Sequence, residues 1–308
     1  MRARRFRSFA KINLALEVVG KLPSGFHELK TIFATVGLHD IIEIAEARSG
    51  ISVRSDHPGV PADETNLAHR AAAAMQTIAR TKRGLKITIE KRIPVGGGVG
   101  GGSSNAATVL RALDTMWELN LGTTGLLETA KNLGADVPYF LVGGPALGRG
   151  RGDDIHPLDL ELEDRLLLIP NQGGVSTAAV FRRFARQAHS VRARSPIDAF
   201  LNRLSKPGKK DVTTADLVND LEPAALAESP ELRSIGESLR RVAKKTGGRQ
   251  VAMSGSGSTF FMLHPDAPSR KAAVLLLRSE GIETLSSSFL SKRAYERRFE
   301  IGELPFPA

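Results

Sequence analysis

The feature that most constrains this chain is the stretch VGGGVGGGSSNAA at residues 95–107. Six of the seven positions from 96 to 102 are glycine, and two serines and an alanine-rich segment follow directly. Glycine takes backbone conformations with positive φ and lets other atoms approach the main chain closely. The stretch is therefore either a flexible linker or a backbone cradle shaped around an anion.

The segments on both sides of this glycine loop favour the cradle. Residues 84–90 alternate apolar and polar side chains, which is the period of a half-buried strand. Apolar residues recur at helical spacing over 106–117, and Ser103 or Ser104 stands where a first-turn cap belongs. A flexible linker need not join a strand to a patterned helix. The start of such a helix binds anions through its free backbone N–H groups.

Two well-known phosphate loops fit less well. The pattern G-x-G-x-x-G is present, but a dinucleotide site needs an acidic residue at the end of the next strand, and Asp114 and Glu118 lie inside the predicted helix. Gly97 and Gly102 have the spacing of a P-loop, but Ser103 stands where that motif needs a lysine. What remains is a loop that offers backbone N–H groups, with serine hydroxyls beside them.

Composition sets wider bounds. The 308 residues suit about two domains of ordinary size, and 41% hydrophobic with 25% charged residues is typical of globular proteins. The sequence has no cysteine, which excludes disulfides and Cys-based zinc sites and permits the cytoplasmic location that we expect. Lys11 and Asn13 interrupt the apolar run that a signal peptide would need. We expect no membrane association, because no apolar run approaches the roughly 18 residues of a transmembrane helix.

The net charge of +10 leaves two partner classes open. Lysine and arginine are spread evenly, with 20 in residues 1–154 and 23 in residues 155–308. This distribution suits an enzyme with phosphorylated substrates, and it also suits a nucleic-acid-binding protein. Two tyrosines and one tryptophan leave few stacking platforms, which weighs against specific nucleic-acid binding.

Strand-like and helix-like segments alternate without a strict βαβ rhythm, which favours an α+β fold over a doubly wound sheet. The segment 142–157, rich in glycine and proline, is the expected linker between domains at 1–160 and 161–308. The polar and basic segment 186–212 is expected to be a mobile surface excursion.

Two charged residues stand in unusual places. Lys11 lies in the apolar segment FAKINLAL, where a lysine is either an edge-strand charge or a functional cation. Asp136 follows the helix-ending Gly134, and by itself it looks like a helix N-cap. Residues 253–261, MSGSGSTFF, form a second small-residue loop. Two such loops from the two halves of the chain are expected if a phosphorylated ligand lies between domains.

Three segments together resemble the motifs of the GHMP small-molecule kinases. They are AKINLAL at 10–16, PVGGGVGGGSSNAA at 94–107 and MSGSGS at 253–258. Three further segments resemble one branch of that family, namely GFHEL at 25–29, LGADVPYF at 133–140 and NDLEP at 219–223. Each motif alone is weak, whereas their joint occurrence in this order is specific.

The resemblance implies an α+β, two-domain GHMP kinase fold. Its N-terminal domain would resemble domain 2 of ribosomal protein S5, its C-terminal domain would be ferredoxin-like, and the active site would lie between them. The implied activity is that of a small-molecule kinase that uses ATP and Mg²⁺. For this branch the implied acceptor is the 2-hydroxyl, a tertiary alcohol, of a cytidine diphosphate conjugate of methylerythritol in the non-mevalonate isoprenoid pathway.

The resemblance also implies roles for individual residues. Asp136 would receive the hydroxyl proton, and Lys11 beside it would favour both the ionised carboxylate and the developing alkoxide. The implied nucleotide-binding residues are Pro94, Gly96, Gly97, Gly98, Gly100, Gly101, Gly102, Ser103 and Ser104. Ser104 is also the implied Mg²⁺ ligand.

The implied substrate-binding residues are Asn13, Phe26, His27, Thr177, Phe181, Gly255 and Ser256. His27 would meet the cytosine edge, while Phe26 and Phe181 would sandwich the ring. Phe26 stands where many family members carry tyrosine, which removes a hydroxyl but keeps the stacking face. An ordinary core position remains the alternative for Phe181.

One alternative within the family stays open. A GHMP kinase that acts on mevalonate, homoserine or a sugar would share the glycine loop. The segments GFHEL and LGADVPYF favour the cytidyl substrate instead. The segment GRGRGDD at 148–154 is more basic than the resemblance implies, which leaves the contacts between the two domains open.

Overall fold

The computed structural model describes residues 3–171, 173–187, 195–205, 216 and 218–303. Their strands are β1 (Arg4–Lys21), β2 (His27–Ala47), β3 (Ile51–Ser55), β4 (Gly84–Glu90), β5 (Ala146–Arg149), β6 (Asp154–Pro157), β7 (Arg165–Ile169), β8 (Gln250–Met253), β9 (Phe260–His264), β10 (Leu285–Ser287) and β11 (Glu300–Glu303). Their helices are α1 (Leu67–Ile78), α2 (Gly101–Met116), α3 (Gly122–Leu133), α4 (Val137–Val142), α5 (Thr177–Arg186), α6 (Pro196–Leu204), α7 (Glu222–Glu228), α8 (Pro230–Thr246), α9 (Ala267–Ser279) and α10 (Lys292–Arg298).

The first sheet has the strand order β11-β1-β2-β4-β3, and the hairpin of β5 and β6 joins it at β2. β1 and β2 form a long antiparallel pair in which Lys11 stands opposite Thr35. One face of this sheet packs on α1, α2 and α4 through a core that includes Phe33, Leu110 and Tyr139. The helices therefore cover one side of the strand that carries Lys11.

The second sheet has the strand order β10-β7-β9-β8, and its neighbouring strands are antiparallel. One face packs against β1 and β2 of the first sheet, where Ile12, Leu168 and Phe261 are buried together. The other face is covered by α5, α7, α8 and α9. The layers run helices, sheet, sheet, helices, so β1 is buried on both faces from residue 8 to residue 17.

Helix α2 begins directly at the end of the glycine loop. Its N-cap is Gly100 in the left-handed conformation, and no side chain caps the first turn. The prediction of a serine cap is therefore wrong, because Ser103 and Ser104 lie inside the first turn. Fully buried small residues such as Ala106 and Ala107 let this helix lie close to its neighbours.

Two other sequence-based expectations differ from the structure. The predicted linker 142–157 contains β5 and β6, because its glycines serve the tight turn of a hairpin. Within the segment 186–212, α6 is an ordered helix whose Ile197 and Phe200 are buried between the sheets. The rest of that expectation concerns residues 188–194 and 206–212, which lie outside the described residues.

The C-terminal segment returns to the first sheet. β11 pairs with the start of β1, and the Tyr295 hydroxyl donates to the carbonyl of Phe140. The Arg111 guanidinium lies 3.7 Å from the ring centre of Phe299. The domain division at 160/161 stays a prediction. Residues 292–303 belong to its second part but contact strands and helices of its first part.

In the part of the chain that the structure describes, no helix combines the length and apolarity needed to cross a membrane.

Candidate active site

The glycine loop between β4 and α2 packs against the loop that joins β8 to β9. A Cβ on Gly98 would lie 2.6 Å from the carbonyl oxygen of Ser254, and a Cβ on Gly100 would lie 2.7 Å from the Phe140 ring. Both glycines also have positive φ angles, of 73° and 76°. Only glycine fits at these two positions, which lets the glycine loop lie directly against the second loop at Gly98 and against α4 at Gly100.

The start of α2 offers backbone N–H groups to this surface. Because the first turn has no side-chain cap, its N–H groups remain available to an anion. Gly102 is exposed and Ser103 is half-buried at this end of the helix. Ser104 is directed inward instead, since its hydroxyl donates to Phe9 O at 2.6 Å and accepts from Ser8 Oγ at 2.8 Å. The structure therefore does not bring Ser104 to the open side of the loop.

Lys11 is the cation at the centre of the two loops. Its side chain is 4% exposed, which rules out a solvated edge-strand charge. The ammonium donates to Asn13 Oδ1 at 2.7 Å and to Gly98 O at 3.0 Å, and it lies 3.4 Å from Asp136 Oδ2. An ammonium has three N–H donors, so these three acceptors match its capacity.

Asp136 immediately precedes α4, but its side chain does not cap that helix. Asp136 thus holds the predicted N-cap position, while its side chain makes no capping hydrogen bond. The carboxylate turns to Lys11 and keeps 36% of its side-chain surface exposed. A carboxylate that is paired on one side and open on the other is able to accept a proton from a bound hydroxyl.

The second loop is fixed to the first by hydrogen bonds. The Ser254 hydroxyl accepts from the backbone N–H of Asn13 at 3.2 Å and donates to Gly98 O at 3.0 Å. The Asn219 side chain donates to Met253 O at 2.9 Å and to Gly255 O at 2.8 Å. The NDLEP segment thus holds the MSGSGS loop in place, a role that its sequence did not reveal.

Two further predicted substrate residues border these loops. The Asn13 side chain donates to Thr31 Oγ1 at 2.8 Å, and this hydroxyl donates to Ala15 O at 2.7 Å. These bonds set the orientation of the Asn13 amide. The hydroxyls of Thr177 and Ser256 lie 2.8 Å apart, so the first turn of α5 meets the tip of the second loop.

His27 and Phe181 form an aromatic pair. Their ring centres are 4.9 Å apart and their planes differ by 26°. Burial, with a smaller contribution from the charge of Lys21, lowers the pKa of His27. A neutral imidazole carries one donor and one acceptor, which suits the polar edge of a pyrimidine.

Phe26 lies elsewhere in this structure. Its side chain is 59% exposed, and the Arg151 guanidinium lies 5.6 Å from its ring centre. Arg151 is itself held by the Asp153 carboxylate at 2.7 Å. The sandwich of a ring between Phe26 and Phe181 therefore stays a prediction.

A buried ion pair behind the glycine loop escaped the sequence analysis. Lys91 Nζ lies 2.7 Å from Asp40 Oδ2, and Asp40 is fully buried. Asp40 also accepts from the backbone N–H groups of Arg92 and Ile93 at 2.8 Å each, and from the Asn105 side chain at 2.9 Å. Burial lowers the pKa of Lys91, and the Asp40 carboxylate opposes that shift. The pair fixes the segment that leads into the loop.

A cavity of about 980 Å³ opens beside the loop, within the range of about 300–1,000 Å³ that is typical of small-molecule sites. One wall is formed by residues 91–95, and the opposite wall includes Pro170, Asn171 and residues 281–285. The cavity places a ligand-sized space next to the backbone cradle.

Comparisons with known proteins show the family of this chain. Residues 66–144, which include the glycine loop and Asp136, match the family model of the GHMP kinases N-terminal domain. A relative from Acaryochloris marina, named 4-diphosphocytidyl-2-C-methyl-D-erythritol kinase, is 39% identical over 290 residues, which cover 90% of this chain and 91% of the relative. The chain belongs to this family of GHMP kinases.

Other members of the 4-diphosphocytidyl-2-C-methyl-D-erythritol kinase family give the same result. A relative of the same name from Chlorobium phaeobacteroides is 37% identical over 89% of this chain and 91% of its own length. The crystal structure of a 4-(cytidine 5'-diphospho)-2C-methyl-D-erythritol kinase has a TM-score of 0.75 at 33% identity, covering 92% of this chain and 98% of that one.

A homoserine kinase from Cytophaga hutchinsonii has a TM-score of 0.71 at 16% identity, covering 95% of this chain and 96% of that one. At this identity the likeness concerns the fold alone. This likeness, the family model and the crystal structure named above confirm the predicted α+β GHMP kinase fold. The chain is a small-molecule kinase by family.

Proposed function

We propose that this kinase transfers the γ-phosphate of ATP to the 2-hydroxyl of 4-diphosphocytidyl-2-C-methyl-D-erythritol. The observation that carries the proposal is the contact of Lys11 Nζ with Asp136 Oδ2 at 3.4 Å, at the meeting point of two glycine-rich loops. Relatives that align with about 90% of this chain, at 37–39% identity, carry this substrate in their name.

The residues of the loop suit a bound triphosphate. Backbone N–H groups at the start of α2 would hold phosphate oxygens, because the helix end has no other cap and its dipole favours negative charge. The cavity along residues 91–95 would take the nucleoside end. Gly102 leaves this surface open, since a Cβ there would meet only Leu67 Cδ1, at 3.8 Å.

Asp136 and Lys11 would carry the proton transfer. The substrate hydroxyl gives its proton to the Asp136 carboxylate while its oxygen forms the bond to the γ-phosphorus, and the bond from that phosphorus to the β-phosphate oxygen breaks. Lys11, 3.4 Å from this carboxylate, would neutralise charge on the attacking oxygen. Its other two bonds, to Asn13 and Gly98, hold the ammonium still during the reaction.

Mg²⁺ is part of the proposal, as it would neutralise phosphate charge. Among the described residues, no cluster of three or more Asp, Glu and His side chains is arranged to hold a metal ion. This fits Mg²⁺, which in phosphoryl-transfer sites is bound mainly by phosphates and water with one or two carboxylates. Asp136 is the open carboxylate at the loop, whereas the hydroxyl of Ser104 is engaged with Ser8 and Phe9.

The cytidine end would bind at the pair of His27 and Phe181. The neutral imidazole offers a donor and an acceptor to the cytosine edge, and the Phe181 ring offers a stacking face. Thr177, on the same helix as Phe181, contacts Ser256 of the second loop, where hydroxyls and backbone N–H groups suit a diphosphate. A cytoplasmic location is part of the same proposal.

Proton-coupled ³¹P NMR of the product tests the position of transfer. The 2-hydroxyl is on a carbon that bears no hydrogen, so the new phosphomonoester should give a signal without three-bond coupling to hydrogen. Transfer to a primary or secondary hydroxyl would give a triplet or a doublet and would contradict the proposal. A reaction without substrate is the control for ATP hydrolysis.

A further inference from the structure

A second cavity, of about 540 Å³, lies where the two sheets meet, and we name it the junction cavity. Residues 37–39 of β2 and residues 286–288, at the end of β10 and just after it, line this cavity. Four arginines surround it, namely Arg92, Arg165, Arg270 and Arg298. None of the residues assigned above to catalysis or to the cytidyl substrate lines this cavity, and Arg92 is the one described residue that it shares with the nucleotide cleft.

The junction cavity is strongly basic. Among the described residues that line it there is no aspartate or glutamate. Arg92 is paired with Glu90, and Arg270 donates to the carbonyl of Ser287. Within the described part of the chain, the side chains of Arg165 and Arg298 make no ion pair or hydrogen bond. Like charges around one space repel each other, and an anion would remove that repulsion.

Neutral donors line the same space. Ser286 and Ser288 are exposed residues of its lining, and their hydroxyls are able to donate to an anion. His39 Nδ1 is bonded to Gly37 O at 2.7 Å, which leaves Nε2 as the free ring nitrogen. Burial and the nearby charges of Arg7 and Arg92 lower the pKa of His39, as expected beside a positive field.

We propose that the junction cavity binds an oligophosphate, of which inorganic diphosphate is the smallest member. One guanidinium group is able to bind two phosphate oxygens through a pair of parallel N–H donors. Several arginines around one space therefore favour a ligand with several phosphate oxygens. The arginines lie on separate elements, with Arg92 just after β4, Arg165 on β7, Arg270 on α9 and Arg298 on α10. Linked phosphates are able to reach more than one of them at once. Leu38 is the one apolar side chain among the described lining residues, so an extended hydrocarbon ligand finds little to contact.

The proposed site is distinct from the nucleotide cleft. The two cavities share Arg92, which stands two residues before Pro94 at the entrance to the glycine loop. Every other described residue that lines the junction cavity is absent from the cleft. Removing positive charge at Arg165 and Arg298 should therefore affect the junction cavity and leave the cleft unchanged.

Isothermal titration calorimetry of the full-length protein with inorganic diphosphate, without added Mg²⁺, tests the proposal. The double variant Arg165→Glu, Arg298→Glu should bind diphosphate at least about tenfold more weakly than the wild type, since the loss of even one charged hydrogen bond weakens binding by about that factor. The control Arg54→Glu reverses an exposed arginine on β3, which does not line this cavity and is two strands from β2 in the sheet order, and it should bind like the wild type. ADP, titrated into all three proteins, should bind equally.

Three binding results would overturn the proposal. Unchanged diphosphate binding in the double variant overturns the proposal, and so does an equal loss in Arg54→Glu, which would show non-specific charge attraction. A parallel loss of ADP binding would place the probe in the nucleotide cleft and would also overturn it. If the glutamate variant does not fold, Arg165→Gln, Arg298→Gln replaces it. The thermal midpoint should then rise clearly less with diphosphate in that variant than in the wild type, and an equal rise would overturn the proposal.

Discussion

At the scale of single residues, Lys11 links the parts of the proposed mechanism. Its ammonium contacts the amide of Asn13, the glycine loop at Gly98 and the carboxylate of Asp136. A lysine in a buried strand is costly unless its donors are satisfied, and these acceptors satisfy them. The same contacts that stabilise the buried charge therefore also set the geometry between carboxylate and loop.

Asp136→Asn should lower kcat by about 10²- to 10⁴-fold, the usual contribution of a general base. ATP binding should be nearly unchanged, because the amide keeps the shape of the side chain and the loop keeps its own contacts. The measurement is steady-state kinetics together with ATP affinity. Glu128→Gln, at an exposed carboxylate on α3, is the control and should behave like the wild type. Equal turnover in Asp136→Asn would remove Asp136 from the mechanism.

His27→Ala should raise the KM for the cytidyl substrate about tenfold with little change in the KM for ATP, because the proposed hydrogen-bond partner of the base, a half-buried imidazole, is lost. Since burial lowers the pKa of His27, the wild-type ring stays neutral at and above the ordinary histidine value of 6.5. The substrate KM should therefore rise only below that pH. A change confined to the KM for ATP would mean that the cytidine lies elsewhere.

At the scale of elements, the site depends on loops that pack on each other. Gly98 meets the second loop and Gly100 meets the ring of Phe140, so the start of α2 is fixed by contacts to two other elements. The NDLEP segment adds the bonds from Asn219 that hold the second loop. Backbone positions, rather than side chains, thus shape most of the proposed phosphate site.

Gly100→Ala and Gly96→Ala form a matched pair. Both residues have nearly the same positive φ, of 76° and 75°, but a Cβ meets Phe140 at 2.7 Å only at Gly100, while space is open around Gly96. Gly96→Ala should cost about 1 kcal/mol of unfolding free energy from backbone strain alone. Gly100→Ala should cost about 3 kcal/mol because overpacking adds to the strain. Equal losses in urea unfolding would contradict the packing described for the loop.

The sequence predicted some elements near the site correctly and missed or misassigned others. Strand β4 occupies the predicted residues 84–90, because a short segment with strict alternation carries its own signal. The pair of Lys91 and Asp40 was missed, since 51 residues separate its members and neither has a local pattern. The hairpin of β5 and β6 was taken for a linker, because glycine and proline mark tight turns and linkers alike.

At the scale of the whole molecule, two sheets face each other and the proposed site lies where their loops meet. The arrangement of helices, sheet, sheet and helices buries β1 on both faces and returns the C-terminal residues to the first sheet. The motifs predicted that two loops meet, because each matched a family motif. They did not predict the C-terminal return or the junction cavity, which depend on contacts between residues far apart in the chain.

Stability should fall in acid through His264. This ring is fully buried in β9 and its Nε2 atom has no hydrogen-bond partner, and burial lowers its pKa from 6.5 to about 4. Between these values the unfolded chain binds the proton and the folded chain does not, so the unfolding free energy should drop by up to about 3 kcal/mol as pH falls from 6.5 to 4. The comparison is the slope of urea-unfolding free energy against pH. The variant His264→Asn should have a shallower slope over this window, and parallel slopes would contradict the assignment.

The most direct test of the central claim is ADP release with Mg²⁺-ATP and each of four acceptors at equal concentration. The acceptors are 4-diphosphocytidyl-2-C-methyl-D-erythritol, mevalonate, homoserine and galactose. The glycine cradle, the pair of Lys11 and Asp136, and the aromatic pair of His27 and Phe181 predict turnover with the cytidyl compound alone. Turnover with one of the other alcohols and none with the cytidyl compound would contradict the account.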